Sequence, residues 1–495
     1  MIALALIIVA LPLTPAMAAV FTPRARPLGA ISAASGVAAL GVAVALAIDL
    51  SSGHRVHALS GFIYLDPLSG FFVATIALVV ALSSFGSAAY LRAEEERGEL
   101  SALQVRLYFI FFGIFAAMML GSFETGNLGL LWVLIEASTL ASCVLVGLEA
   151  KAVSLEAAWK YIIISSFGVT MALVGTLFLY YAAGGLAGSP TEHLTWSYLF
   201  AHAAGLHAES LRLAFLLVLI GYGTKVGLAP MHTWLPDAHS EAPSPASAML
   251  SAALLNTGMY AIIRFQALTG PALGTGYAAH ALLIFGFASV LVGALFIVLR
   301  GNFKRMFAYS SIEQMGIIAI ALGFGGVLGF YGALLQILTH AIAKAVLFLT
   351  SGDIVLRYRT RLIDEVRGVL SITPLTGAVL LLAAVAVGGS PPFGLFLSEL
   401  TIVRAGLARS SVVLVAVLLF LLAVVFIALV GAVADMALGV SPDRPTGGPA
   451  YVERSSRILA ATPLVAGLTV LLVLGLWIPG GLNTLIMHSI HAISG

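Results

Sequence analysis

The sequence predicts an all-α polytopic membrane protein of about fourteen transmembrane helices, with two inverted repeats and two discontinuous helices. Three observations carry that expectation. Of the 495 residues, 60% are hydrophobic and only 9% are charged, whereas soluble domains carry about 25% charged residues. Apolar stretches of about 20 residues, the length that crosses a bilayer, recur along the whole chain. Two of these stretches are interrupted by proline and glycine, which membrane-depth backbone tolerates only where protein or a wet cavity surrounds it.

Spans are expected at 1–20, 29–50, 68–90, 107–122, 127–148, 161–185, 211–229, 244–265, 277–299, 306–322, 327–350, 371–407, 411–435 and 457–478. The first carries Ala16-Met-Ala18, a small-residue pattern resembling a cleavage site. No basic residue precedes it, and Arg24 and Arg26 follow it, so it reads as a retained helix. The stretch 371–407 is too long for one plain span, and Gly388-Gly-Ser-Pro-Pro-Phe-Gly394 breaks it. The chain reads as a single membrane domain, 1–495, with repeat halves near 107–265 and 277–435 flanked by helices 1–90 and 457–478. The longest polar connections are 50–67, 186–210 and 436–456.

Basic residues orient these spans. Threading them puts seventeen basic residues on one side, among them Arg24, Arg26, Arg92, Arg97, Arg106, Lys151, Lys160, Lys304, Arg305, Arg359 and Arg361, and only Arg55, Arg212, Arg264, Arg404 and Arg409 on the other. The positive-inside rule makes the first side cytoplasmic and both termini external.

Composition also excludes function classes. A net charge of +2 and the lack of a basic, aromatic-interleaved run argue against nucleic acid. Cys143 is the only cysteine, so this chain forms no internal disulfide and holds no cysteine-ligated Fe–S cluster. No phosphate loop, HExxH or CxxC is present, and no cofactor or metal is expected in the chain itself.

The chemistry lies in ionisable residues within apolar stretches: Glu136, Lys225, His340, Lys344 and Glu399. A charge at the centre of a membrane helix costs roughly 2.5–3.5 kcal/mol on insertion scales, so such residues usually face a polar interior and mark an ion path. Lys225 sits just before the break at Ala229-Pro230, and Glu399 just after the one at Pro391-Pro392. Discontinuous helices in corresponding positions of two halves point to an ion site at the breaks. Pairing Glu136 with Lys225 would favour both charges, and His340, one turn before Lys344, suits a proton relay. Glu399 would exchange with the outside. Structural ion pairing is the alternative for the charged groups, and a hydrogen-bonded core histidine is the alternative for His340. His232, Asp237 and His239 follow the first break and either brace it or join the path. Glu313 lies in a polar patch and divides between gating and packing.

The motif Gly223-Thr-Lys225-Val-Gly-Leu-Ala-Pro-Met-His-Thr-Trp-Leu-Pro-Asp-Ala-His-Ser-Glu-Ala-Pro-Ser-Pro resembles the antiporter-like subunits of respiratory complex I and of Mrp-type antiporters. Trp132-Val-Leu-Ile-Glu136, Lys304-Arg-Met-Phe-Ala-Tyr-Ser310 and His340-Ala-Ile-Ala-Lys344 add to it. Tyr309-Ser-Ser-Ile-Glu-Gln-Met-Gly and Gly389-Ser-Pro-Pro-Phe-Gly-Leu-Phe-Leu-Ser-Glu399 resemble component F of hydrogenase-4 and its relatives in formate hydrogenlyase-type complexes.

The resemblance implies a proton-translocating subunit of a complex I-related oxidoreductase, in a bacterial or archaeal cell membrane. Its partners would be other membrane subunits and a peripheral redox arm, with Fe–S clusters and a NiFe centre in those partners. The other reading is an Mrp-type Na⁺(K⁺)/H⁺ antiporter subunit without redox coupling. The resemblance places Glu136 as the paired carboxylate, Lys225 as the broken-helix lysine, Lys344 with His340 as the central base and Glu399 as the outlet acid. One position departs: many members carry a second lysine on the next helix, where this chain has Asn256. The step from Lys225 to Lys344 must then run through water, His340 or other polar side chains.

Overall fold

The computed structural model describes residues 1–299, 301–440 and 454–494. Among them, eleven helices are long and apolar enough to cross a membrane, or up to twelve if one bent pair counts as a span. The expected count of about fourteen is therefore not reached by whole helices. Three expected spans are not whole apolar helices of membrane length: 211–229, whose helix of 19 residues carries Glu209, Arg212 and Lys225; 371–407, which its break divides; and 457–478, which belongs to the bent pair.

The helices are α1 (Ile2–Ala19), α2 (Ala25–Leu50), α3 (Pro67–Glu96), α4 (Ala102–Ser122), α5 (Leu128–Val146) and α6 (Ala152–Ala182). Next come α7 (Ala208–Val226), α8 (Trp234–Glu241), α9 (Ser244–Leu273), α10 (Gly276–Ile297), α11 (Phe303–Phe324) and α12 (Gly326–Tyr358). The chain continues through α13 (Pro374–Val387), α14 (Gly394–Ala408), α15 (Val412–Leu438), α16 (Arg454–Leu476) and α17 (Gly480–Ser494). Pro12 and Pro15 force a tighter turn over Leu11–Leu13 within α1. The connection 50–67 is not plain loop: Val56–Ala58 (β1) and Ile63–Leu65 (β2) form an antiparallel hairpin, so the fold is all-α apart from this pair. Helix α17 lies past the last expected span and bends 76° from α16. Most of the connection 436–456 lies outside the described residues.

Glycines set how closely the helices approach, since membrane helices gain from packing small residues rather than from expelling water. A Cβ on Gly221 of α7 would overlap the Ala172 nitrogen of α6, and one on Gly293 of α10 would meet Glu313 of α11 at 2.5 Å. Both pairs pack backbone to backbone.

The basic residues sorted by sequence converge on one face. There Arg361 meets Glu241 at 2.6 Å and Glu149 at 3.5 Å, and Arg359 meets Glu99 at 3.5 Å. Arg97 donates to the Leu356 carbonyl at 2.7 Å, and Arg106 to the Ala19 carbonyl at 3.0 Å. On the opposite face Arg264 grips Asp66 with two bonds of 2.7 Å, both residues 2% exposed or less. Asp66 also caps α3 by accepting from the Ser69 amide, so one carboxylate joins α3 to α9. The guanidinium lies 4.3 Å from the Trp196 ring centroid.

A shared device marks the two halves. Asn127 caps α5 and bridges antiparallel to Thr195, while Asn302 caps α11 and bridges antiparallel to Leu362. The first bridge lies on the Asp66–Arg264 face and the second on the arginine-rich face, as an inverted pair of repeats requires.

Removing one member of a fully buried ion pair strands the other charge at about 3–5 kcal/mol. Asp66→Asn is therefore expected to lower the Tm of the detergent-solubilised protein markedly, and the double change Asp66→Leu with Arg264→Met to recover part of the loss. An unchanged Tm for the single variant would show that the pair is not a tie between α3 and α9.

Candidate functional site

The first break follows from local chemistry. Gly227 closes α7 with φ +81°, the left-handed region that glycine enters without penalty, and its amide bonds back to Thr224. The freed Ala229 amide donates to Ser289 Oγ on α10 at 2.9 Å. The Trp234 indole donates to the exposed end of α7, at the Thr224 carbonyl, at 2.8 Å. These partners are protein groups, the kind of surrounding in which freed backbone is tolerated at membrane depth.

Lys225 in the last turn of α7 is completely buried. Its Nζ donates to Thr139 Oγ1 at 2.7 Å and to the Tyr161 hydroxyl at 2.8 Å. Tyr161 in turn meets Ser142 Oγ at 2.7 Å. Glu136 lies one turn before Thr139 on α5, half-buried, and accepts from Ser166 Oγ at 2.6 Å. Glu136 lies within electrostatic range of Lys225 without a direct ion pair, and no salt bridge within 4.0 Å joins them among the described residues. Thr139 and Tyr161 escape sequence reasoning, although Thr139 shares a helix face with Glu136.

The second half gathers its groups on α11, α12 and α14. Lys344 is completely buried and donates to the Phe307 carbonyl at 3.0 Å and to Ser310 Oγ. Glu313, also fully buried, stands one turn from Ser310 and lies within electrostatic range of both Lys344 and Glu399. From Glu313 a side-chain ladder runs outward: Gln314 donates to Glu313 at 3.1 Å, Gln336 donates to Gln314, and Ser398 donates to Gln336. Ser398 precedes Glu399, whose carboxylate borders a cavity of about 520 Å³ lined by Gly388, Gly389, Ser390 and Phe426. The two amides and Ser398 were missed at the sequence level. Three polar side chains inside apolar helices were the available signal.

Two histidines lie between the halves. His340 sits with Nε2 3.4 Å from the Ser251 carbonyl. That carbonyl belongs to a π-helical turn, Leu250–Leu254, within α9, and such turns loosen the regular ladder. His239 is fully buried between the Trp234 and Phe348 rings, at centroid distances of 6.0 and 5.7 Å, and in range of Lys344. Trp234 also borders Lys225, 5.9 Å from its Nζ, so His239 adjoins a ring that neighbours that lysine. Asn256 turns its amide to the Ala252 carbonyl of its own helix at 2.8 Å and bonds to neither lysine. His232 is half-buried at the break itself. Asp237 lies toward the arginine-rich face, paired with Lys160 and Arg305.

Acids, lysines and histidines gathered within the bundle around two oppositely disposed broken helices suit an antiporter-like membrane subunit. Residues 125–426 match the family described as NADH:quinone oxidoreductase/Mrp antiporter, transmembrane, and the chain belongs to that family. It is 38% identical over 389 residues to a hydrogenase-4 component F homolog of Methylacidiphilum infernorum, covering 78% of this chain and 80% of the relative. It is 30% identical over 453 residues to hydrogenase-4 component B of Escherichia coli, covering 87% of this chain and 64% of that relative. Its fold superposes on a chain of the Mrp complex from Dietzia sp. DQ12-45-1b with TM-score 0.82 at 22% identity, covering 100% of this chain and 99% of that one.

Gly389, at φ +69°, leaves room for Glu399: a Cβ there would overlap Glu399 Oε2. Gly389→Ala is expected to cost about 1–2 kcal/mol from the left-handed backbone alone and to push the carboxylate aside. Carbodiimide modification of Glu399, followed by mass spectrometry, should then fall. Unchanged modification would show that the glycine does not shape this site.

Proposed function

We propose that this chain is a proton-translocating membrane subunit of a complex I-related, hydrogenase-4-type assembly, and that it couples electron transfer in partner subunits to ion movement. The observation that carries the reading is the succession Glu136, Lys225, His239, Lys344 with His340, Glu313 and Glu399, which runs inside the protein through both breaks. Each member is a titratable group with polar or titratable neighbours, which is what proton hopping requires. Two hydrogenase-4 components among its relatives favour the redox-coupled assembly over a gradient-driven Na⁺(K⁺)/H⁺ antiporter. In this reading electrons pass through Fe–S clusters and a NiFe centre of a peripheral arm. The arginine-rich face is cytoplasmic in a bacterial or archaeal cell membrane, and both termini are external.

A proton moved onto Glu136, or a cation brought near it, would loosen its hold on the proton of Lys225, which can pass toward His239 and the second half. Asn256 does not titrate, so the step between the lysines falls to His239 and His340. Glu399 then exchanges its proton through the cavity beside Gly389.

Lys225→Met and Glu399→Gln are each expected to reduce proton translocation in inverted membrane vesicles about tenfold or more, since each removes the titratable group at its step. Translocation at the normal rate in either variant would refute its place in the path. Purification of the tagged chain under mild detergent should recover a hydrogenase large subunit and Fe–S proteins. Recovery of small membrane subunits alone would move the function to a gradient-driven antiporter.

A further inference from the structure

The two breaks share one register. Gly227 and Gly389 both take positive φ, and each is followed at the third position by a proline, Pro230 or Pro392. Counting seven residues on from that proline reaches an acid in both halves, Asp237 and Glu399. The topology agrees, because α7 runs toward the arginine-rich face before its break, whereas α13 runs away from that face before its own. Asp237 is thus the counterpart of Glu399 at the opposite face.

Their surroundings differ. Glu399 is 8% exposed, has no cation within ion-pairing distance among the described residues, and adjoins the cavity beside Gly389. The Asp237 side chain is 19% exposed and held by two cations from different helices, Arg305 of α11 at 2.9 Å and Lys160 of α6 at 3.3 Å. The far end of α8 is held as well: Glu241 by Arg361 at 2.6 Å, and the Ala242 carbonyl by Lys304 at 2.6 Å. Directly beneath lies Trp234, its ring 4.7 Å from that of Tyr161, the partner of Lys225. Helix α8 therefore stands between the arginine-rich surface and the buried lysine. Lys160 and Arg305 are both 48% exposed, so water and salt screen the clasp on Asp237 and leave it weak enough to open. The Asp66–Arg264 pair, sealed from water, has no such freedom.

We propose that α8 is a gate over Lys225, held shut by the Asp237–Lys160–Arg305 clasp, which controls access of water and protons from the arginine-rich face. Releasing the clasp lets α8 lift Trp234 away from Tyr161 and hydrates Lys225. The second half has an acid at the same register but no clasp, so its path stays open to the cavity while the first half is closed. This rests on the translocation reading above for its purpose, though not for its geometry.

The test uses the intact assembly in native membranes, with Cys143→Ala as background and Thr139→Cys as a reporter beneath α8. A membrane-impermeant methanethiosulfonate reagent is applied from each side in vesicles of opposite orientation. Asp237→Asn is expected to raise reporter labelling about five- to tenfold from the arginine-rich side only, and Asp237→Glu to leave it slow. Equal labelling with and without the Asp237→Asn change, or acceleration from both sides, overturns the gate. A second arrangement, Asp237→Cys with Arg305→Cys joined by a reducible bis-methanethiosulfonate bridge, should stop proton translocation and regain it on reduction. Undiminished translocation with the bridge in place overturns the proposal. Should Lys225→Met translocate normally while the labelling effect persists, the translocation reading fails and the gate stands. Should Lys225→Met be inactive and the labelling effect absent, the gate alone fails.

Discussion

A helix interrupted within hydrocarbon leaves amide and carbonyl groups that no water reaches, each costing several kcal/mol if unmet. Much of this structure answers that constraint. At the first break Gly227 turns the chain, Ser289 takes the Ala229 amide, and Trp234 supplies a donor to the end of α7. These supports come from α8 and α10, so the break holds the first half against the second. Lys225 sits in the turn just before this point, with the Trp234 ring 5.9 Å from its Nζ.

The charged groups obey a related rule. Where a charge is sealed, as at Asp66 and Arg264, geometry is bidentate and the neighbours are aromatic. Along the path the arrangement is different: Lys225 and Lys344 are held by hydroxyls and a carbonyl rather than by carboxylates. Hydroxyls stabilise an ammonium less than a carboxylate does and can also donate to the neutral amine.

The Asn256 departure has a structural answer. Asn256 bonds to its own helix, and in the proposed path its place is taken by His239, between Trp234 and Phe348. The π-helical turn at Leu250–Leu254 brings the Ser251 carbonyl to His340 from the same region. Both histidines follow from their elements: His239 from the segment after the break, His340 from the turn of α12 before Lys344.

By itself the sequence determined the membrane class, the positions of both breaks, the face to which the basic residues go, and the titratable residues Glu136, Lys225, His340, Lys344 and Glu399. Those features are legible because hydrophobic length, proline, glycine and a lone charge act locally, on a chain that has few options within a bilayer. The tertiary structure decided the partners. Tyr161, Gln336 and Ser398 stand out only as polar side chains in apolar helices until packing sets them near Lys225 and Glu399, from other segments of the chain. It also decided that no ion pair joins Glu136 to Lys225 among the described residues, that α17 follows the last span, and that His239 is fully buried between Trp234 and Phe348. The physical reason is that burial and hydrogen bonding between distant helices depend on which faces meet, and small residues such as Gly221 and Gly293 fix that only once the helices pack.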